Sequence, residues 1–274
     1  MSADKAETGP RQGDPVPFDT SVARDARLYD YGLGGKDNFA ADRAAAHQVL
    51  AAFPEVASGL RANRDFIGRT VRYLTMEAGV RQFLDIGMGL PADNNTHEVA
   101  QALAPESRIV YADNDPVVMA HARALMTSGA AGVLGYIEAD LRDPGKITGG
   151  AAQTLDLSQP VAVLLMAVLH LIGDEDDPYR IVAELMDAVP PGSYLAVSQL
   201  AGDVAADEVA DGVQRYNQQV AVPVAARTHA EVSRFFAGLE LAEPGVVQVH
   251  RWRPAAGQLS SSDLAIYAGV GRKP

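Results

Sequence analysis

The chain has no cysteine, a single tryptophan and few aromatic residues, at 6%. Without cysteine there are no disulfides, no thiolate metal ligands and no cysteine nucleophile. Cytosine C5 methylation, which proceeds through such a nucleophile, is therefore excluded on chemical grounds. No apolar run approaches the roughly 20 residues that span a bilayer. Nor does the N-terminus set a basic flank before an apolar segment, as a secretory signal would. A cytoplasmic protein without a membrane partner is expected.

Positive charge is also scarce. Residues 1–81 hold 11 Lys/Arg against 11 Asp/Glu, and residues 82–274 hold 12 against 24, so the net charge of −12 lies wholly in the second part. Such a surface repels phosphate backbones, and no nucleic-acid partner is expected. What the chain does have is apolar residues, 47% of 274, enough for a sizeable core. It carries no signal of oligomeric state.

Residues 1–17 combine Gly9 and Gly13 with Pro10, Pro15 and Pro17 and read as a flexible tail. Residues 18–81 read as a helical cap. Within it Leu60, Ile67, Val71 and Leu74 recur on one helical face while Arg61, Arg64, Arg69 and Arg72 gather on another,. That arginine stripe is either a solvated face or an anion site, with Arg64 its preferred member. Gly32, Gly34 and Gly35 interrupt the helical pattern and predict a turn. The segment 31–38 is then either a plain linker or a lid, with Tyr31, Gly34 and Asn38 as its candidate contacts.

After residue 81 short apolar runs at 82–87, 108–112, 133–138, 160–166 and 194–199 alternate with helical segments at 95–103, 116–127 and 178–189. Alternation of this kind predicts a doubly wound, mostly parallel α/β sheet with helices on both faces. Two further runs, 246–252 and 264–270, are too close for a crossover helix and predict an antiparallel pair at the sheet edge.

The most informative stretch is Phe83-Leu84-Asp85-Ile86-Gly87-Met88-Gly89-Leu90-Pro91. A strand reaches an acid and then two alternate glycines, the residues that let backbone pass close to a ligand. A pyrophosphate site wants N–H groups and no anion, so Asp85 favours a ligand with a cationic end, such as S-adenosylmethionine. Two more acids, Asp113 and Asp140, close the next two runs at spacings of 28 and 27 residues, about one strand-plus-helix unit each. Capping of the following helices is the bland alternative for each of them.

With these residues the chain resembles the class I S-adenosylmethionine-dependent methyltransferases, over roughly residues 82–270. The resemblance implies a seven-stranded Rossmann-like sheet. Asp85, Gly87 and Gly89 would form the glycine-rich cofactor turn. Asp113, followed by Asn114, would grip the ribose hydroxyls, and Asp140, followed by Leu141, would meet the adenine amino group. The segment 163–170 would flank the methyl donor. The usual third glycine is replaced by Leu90-Pro91, which implies a distorted entry to the next helix. A closer likeness runs through Arg27-Leu28-Tyr29-Asp30-Tyr31-Gly32-Leu33-Gly34-Gly35-Lys36-Asp37-Asn38-Phe39 and Tyr111-Ala112-Asp113-Asn114-Asp115-Pro116. It is to an actinobacterial group of S-adenosyl methyltransferases formerly of unknown function.

The implied reaction carries a methyl to an oxygen or nitrogen of a small-molecule acceptor. His170, just after the fourth run, is the candidate general base; a packed histidine is the alternative. Substrate choice is expected in the cap and in residues 200–227. Two other functions stay open, a non-catalytic cofactor-binding regulator and a nicotinamide-dependent oxidoreductase, although the latter would lack Asp85 and keep a third glycine. Asp174-Glu175-Asp176-Asp177 before Pro178 reads as a helix N-terminus rather than a metal site. His47, His97, His121, His229 and His250 show no ligand spacing, and no metal is expected.

Overall fold

The computed structural model describes residues 19–220, 222–255 and 262–274; the tail expected over 1–17 lies outside them. The chain begins with three helices, α1 (Asp25–Leu33), α2 (Ala40–Ala52) and α3 (Val56–Met76). It continues with β1 (Gln82–Ile86), α4 (Thr96–Leu103), β2 (Arg108–Asp113), α5 (Pro116–Leu125), β3 (Val133–Glu138), α6 (Pro144–Ala151), β4 (Ala162–Met166), α7 (Pro178–Asp187) and β5 (Tyr194–Leu200). Then come α8 (Ala206–Asn217), α9 (His229–Arg234), β6 (Glu240–Leu241), β7 (Val247–Gln248) and β8 (Ile266–Arg272).

The strands form one sheet in the order β3-β2-β1-β4-β5-β8-β6, with β7 also paired to β8. β1 to β5 are parallel. β8 runs antiparallel between β5 and the two short edge strands. The sheet is thus Rossmann-like and doubly wound, with its order reversing between β1 and β4.

Residue alternation divides the core. Leu84, Ile86, Val163 and Leu165 face α6 and α7, packing with Ile147, Ile181 and Leu185. Phe83, Ala162 and Leu164 face the other way, against Phe66, Val71 and Leu74 of α3. Strands covered on both faces need apolar residues at every position, which is why 160–166 reads as an unbroken apolar run. α3 is therefore part of the layer covering the sheet. α1 and α2 have a small apolar cluster of their own around Leu28, Ala45 and Ala46, braced by the buried pair Arg27–Asp42 at 3.3 Å.

One device starts three of the crossover helices. Asp115, Asp143 and Asp177 each precede a proline and accept from a backbone N–H one turn on, that of Val117, Lys146 and Arg180 respectively, as N-caps do. Asp177 is accordingly the N-cap of α7.

Three local expectations need correction. Gly32 lies inside α1, and the chain turns only at Gly34, whose φ is 88°. The run 246–252 is a strand for two residues only. Its continuation, Val249–Arg251, is a 3₁₀ turn because the Arg69 guanidinium donates to the carbonyls of Val249 and Trp252 and Trp252 turns inward against Phe66 and Tyr73. For the same reason the arginine stripe is not one solvated face: Arg61 and Arg72 are exposed, whereas Arg64 and Arg69 hold carbonyls of distant loops. No described helix is long and apolar enough to cross a membrane.

Candidate active site

A cavity of about 1240 Å³ opens at the C-terminal ends of β1, β2, β4 and β5, at the reversal point where such sheets bind ligands. Its volume exceeds the range of roughly 300–1,000 Å³ usual for one small ligand, so it has room for two molecules side by side.

One end is built by the turns after β1 and β2. Gly87 has φ 73°, and a Cβ there would run into the Val168 side chain; glycine is required on both counts. Gly89 also adopts a left-handed φ, of 65°. Its N–H donates to Asp113 Oδ2 at 3.1 Å, while Asp115 N–H donates to Asp113 Oδ1 at 2.9 Å. Asp85 Oδ2 accepts from Thr96 Oγ1 at 2.6 Å. Burial pushes both carboxyls up to about 6, against the pull of these hydrogen bonds.

With Leu90-Pro91 in place of a third glycine, α4 does not begin until Thr96. The intervening loop is stapled by Arg64, which donates to the carbonyls of Asp93 and Ala92 and to Asn95 Oδ1. Arg64 lines the cavity, but much of its donor capacity serves this loop.

The N-terminal helices close the same end. Asp25, at the start of α1, lines the cavity with one carboxylate oxygen buried and unpartnered. Burial pushes its carboxyl up to about 7, and the charges of Asp113 and Asp115 add to the shift. Asn63 of α3 donates through Nδ2 to the Tyr29 hydroxyl at 2.9 Å, and its buried Oδ1 is left without a partner. The 34–38 segment folds around the Asp30 carboxylate, which accepts from Asp37 N–H and Asn38 Nδ2. Gly34 lines the cavity. Tyr31 is not part of that lining and meets His47 Nε2 at 2.7 Å; Asn38 spends its amide on Asp30 and Gly35.

Beyond β3, Leu141 lines the cavity and Asp140 does not. Asp140 bonds Asn114 Nδ2, at 2.9 Å, and the N–H and guanidinium of Arg142. Burial works to raise it, but these donors outweigh burial and hold its carboxyl below the ordinary value. Asn114 itself lines the cavity. The structure therefore brings together Asp85, Gly87, Gly89, Asp113, Asn114, Leu141, Gly34, Arg64 and His170 around one space. Tyr31, Asn38 and Asp140 stand behind that wall.

The opposite end begins after β4. Ala167 takes a left-handed φ of 54°, and its N–H donates to Ser198 Oγ at 2.9 Å. The chain then enters a 3₁₀ turn, Leu169–Leu171, that carries His170. Arg227, itself buried, holds this turn: its guanidinium donates to the carbonyls of Leu169 and Ile172 at 2.8 and 2.7 Å, and Ala225 N–H donates to His170 O at 2.7 Å. Burial, with the Arg227 charge adding, pushes the His170 ring down to about 4. The imidazole is thus neutral at pH 7, and its Nδ1 is buried without a partner. Leu50, Phe53, Val209, Val213, Val224 and Ile266 are among the apolar side chains that line the same cavity.

Sequence reasoning missed Asp25, Asn63, Gln199 and Arg227. The first two sit on helices where nothing local marks them as lining the cavity. Gln199, a polar residue beside Ser198 near the end of a mostly apolar strand, was the one detectable signal.

S-adenosylmethionine offers an ammonium, two ribose hydroxyls and an adenine amino group. The first end meets these donors with the carboxylates of Asp25, Asp85 and Asp113 and with Asn63 Oδ1, so the residues fit the cofactor. A search of curated proteins found no match. Among solved structures, a DUF574 family protein from Streptomyces avermitilis MA-4680 is 45% identical, with 93% of this chain and 99% of that chain covered and a TM-score of 0.90. A candidate methyltransferase from Thermobifida fusca YX is 38% identical over 92% of this chain and 96% of that chain, at a TM-score of 0.85. The mitomycin 7-O-methyltransferase MmcR, 19% identical over 82% of this chain and 60% of that chain, shares the fold at a TM-score of 0.51. The sequence pattern of a family described as S-adenosyl methyltransferase matches residues 11–274, which decides for S-adenosylmethionine over a nicotinamide cofactor. The chain belongs to this S-adenosyl methyltransferase family and is an S-adenosylmethionine-dependent methyltransferase.

Proposed function

We propose that the chain transfers the methyl to an oxygen or nitrogen of a small molecule seated at the His170 end of the cavity. The observation that carries this reading is the buried, unpartnered His170 Nδ1, set in an apolar chamber continuous with the cofactor end. S-adenosylmethionine supplies an activated methyl: the bond from carbon to the acceptor forms as the carbon–sulfur bond breaks, and its electrons return to sulfur.

The protein's own part is alignment and exclusion of water. Asp85, Asp113 and Asp25 orient the cofactor, and Gly87 and Gly89 let the backbone pass beside it. The strained Ala167 turn sets His170 opposite, as held backbone strain does at working sites. A ring pushed down to about 4 is a weak base toward a free alcohol. For a hydroxyl acceptor it suffices, because a hydroxyl that has gained a methyl is a far stronger acid than imidazolium, and His170 Nδ1 then receives the proton. A methylated amine would instead keep its proton until it is released to solvent.

The test is transfer of labelled methyl from S-adenosylmethionine into a small-molecule extract freed of protein and nucleic acid. Label in the small-molecule fraction, strongly reduced in His170→Phe with cofactor affinity unchanged, is the expected result. Label in added protein or nucleic acid instead would overturn the reading.

A further inference from the structure

We propose that Gln199 and His170 together read the acceptor as an uncharged molecule with two hydrogen-bond donors on an apolar body. The reacting hydroxyl or amine meets His170, and the second donor meets Gln199. This rests on the reading that the His170 end receives the acceptor.

Gln199 lies at the C-terminal end of β5, fully buried, and lines the cavity. Its amide nitrogen donates to Ala225 O at 2.8 Å and Leu200 O at 3.3 Å. Carbonyls only accept, so the amide has one possible orientation, and Oε1 is the atom left buried and unpartnered. Ala225 also donates its N–H to His170 O, so one residue ties the Gln199 side chain to the backbone that carries His170. Cofactor orientation uses Asp25, Asp85 and Asp113, which leaves Gln199 Oε1 outside that set.

Gln199 Oε1, and His170 Nδ1 in the tautomer that carries its proton on Nε2, select against ligands as well as for them. A buried acceptor left facing a ligand without a donor keeps the full cost of its desolvation, whereas a ligand with a donor recovers it. An ionised carboxylate would place lone pairs against lone pairs. The apolar walls of Leu50, Phe53, Val209 and Val213 suit a ring system,.

The experiment is calorimetry on the full chain saturated with S-adenosylhomocysteine, using 2,3-dihydroxynaphthalene, 2-naphthol and 2-methoxynaphthalene, which present two, one and no donors. Affinity is expected to fall by several-fold to about tenfold at each step. Gln199→Met should erase the first step and His170→Phe the second, with S-adenosylhomocysteine affinity held in both as the control for folding. If the diol binds no better than 2-naphthol, or keeps its advantage in Gln199→Met, the pairing is overturned while the acceptor reading stands. If no probe binds, or binding ignores His170→Phe, the acceptor reading fails and the pairing falls with it.

Discussion

The cofactor end of the cavity and the acceptor end are built by different means. At the first, Asp85 and Asp113 already accept from Thr96, Gly89 and Asp115, all close to the strand ends that carry the acids. At the second, His170 Nδ1 and Gln199 Oε1 have no protein partner, and the walls come from segments as far apart as residues 50 and 266. At the first end Asp85 and Asp113 are set locally by strand, turn and helix, while Asp25 and Asn63 are brought there by packing of the N-terminal helices. The other end is assembled by tertiary packing and is held through the buried Arg227.

The most severe way to break this division is Asp113→Ala. It removes a buried carboxylate and leaves the Gly89 and Asp115 N–H groups without their acceptor. Charge-assisted hydrogen bonds contribute about 1.5–3 kcal/mol each, so titration calorimetry should show cofactor affinity reduced by at least roughly 100-fold. Arg227→Met probes the other end. Losing the donors to two carbonyls should cost about 3 kcal/mol of stability in urea unfolding. Methyl transfer should fall while affinity for S-adenosylhomocysteine stays near native; equal loss of both would erase the distinction. Gly87→Ala is smaller, about 2 kcal/mol from the left-handed backbone alone, with relief of the contact at Val168 added. Its thermal midpoint should drop and its cofactor affinity with it.

The mildest test is pH. Burial raises Asp25 to about 7 and Asp85 and Asp113 to about 6. Since these folded values exceed the unfolded one near 4, their contribution to stability of the free protein is fully present below about 4 and is lost as pH rises through 6 to 7. Cofactor donors favour the ionised carboxylates, so affinity for S-adenosylhomocysteine should weaken roughly tenfold from pH 7.5 to 5.5, with proton release detectable as buffer-dependent binding enthalpy. His170, pushed down to about 4, does not titrate in this window. Acceptor affinity at saturating cofactor should therefore hold steady over it, and a parallel decline would contradict the contrast.

Much of the frame was legible because its signals are short. Asp-Pro pairs mark the starts of α5 and α7, since a capping carboxylate and a proline at the first helical position act within one turn; Asp143-Pro144 starts α6 in the same way, although no helix was expected there. The acids at 85 and 113 and the glycines at 87 and 89 mark the crest of the sheet in the same way. Where residues serve distant partners, the local pattern misleads. Arg64 and Arg69 look like a surface stripe, yet one staples the loop after β1 and the other takes two carbonyls of the turn that follows β7. Nothing near Asp25 or Asn63 says that they line the cavity with a buried oxygen unpartnered.

The sequence by itself determined the parallel α/β order, the strand-end acids and the glycine turn that suits a cationic cofactor. Each follows from period, sterics or capping over a few residues. Only the tertiary structure decided that the N-terminal helices bring Asp25 over the cofactor end and that Arg227 holds the His170 turn. It alone set Gln199 beside an apolar chamber. Those outcomes depend on which buried polar atoms find partners across the chain, and that is settled only when the layers pack.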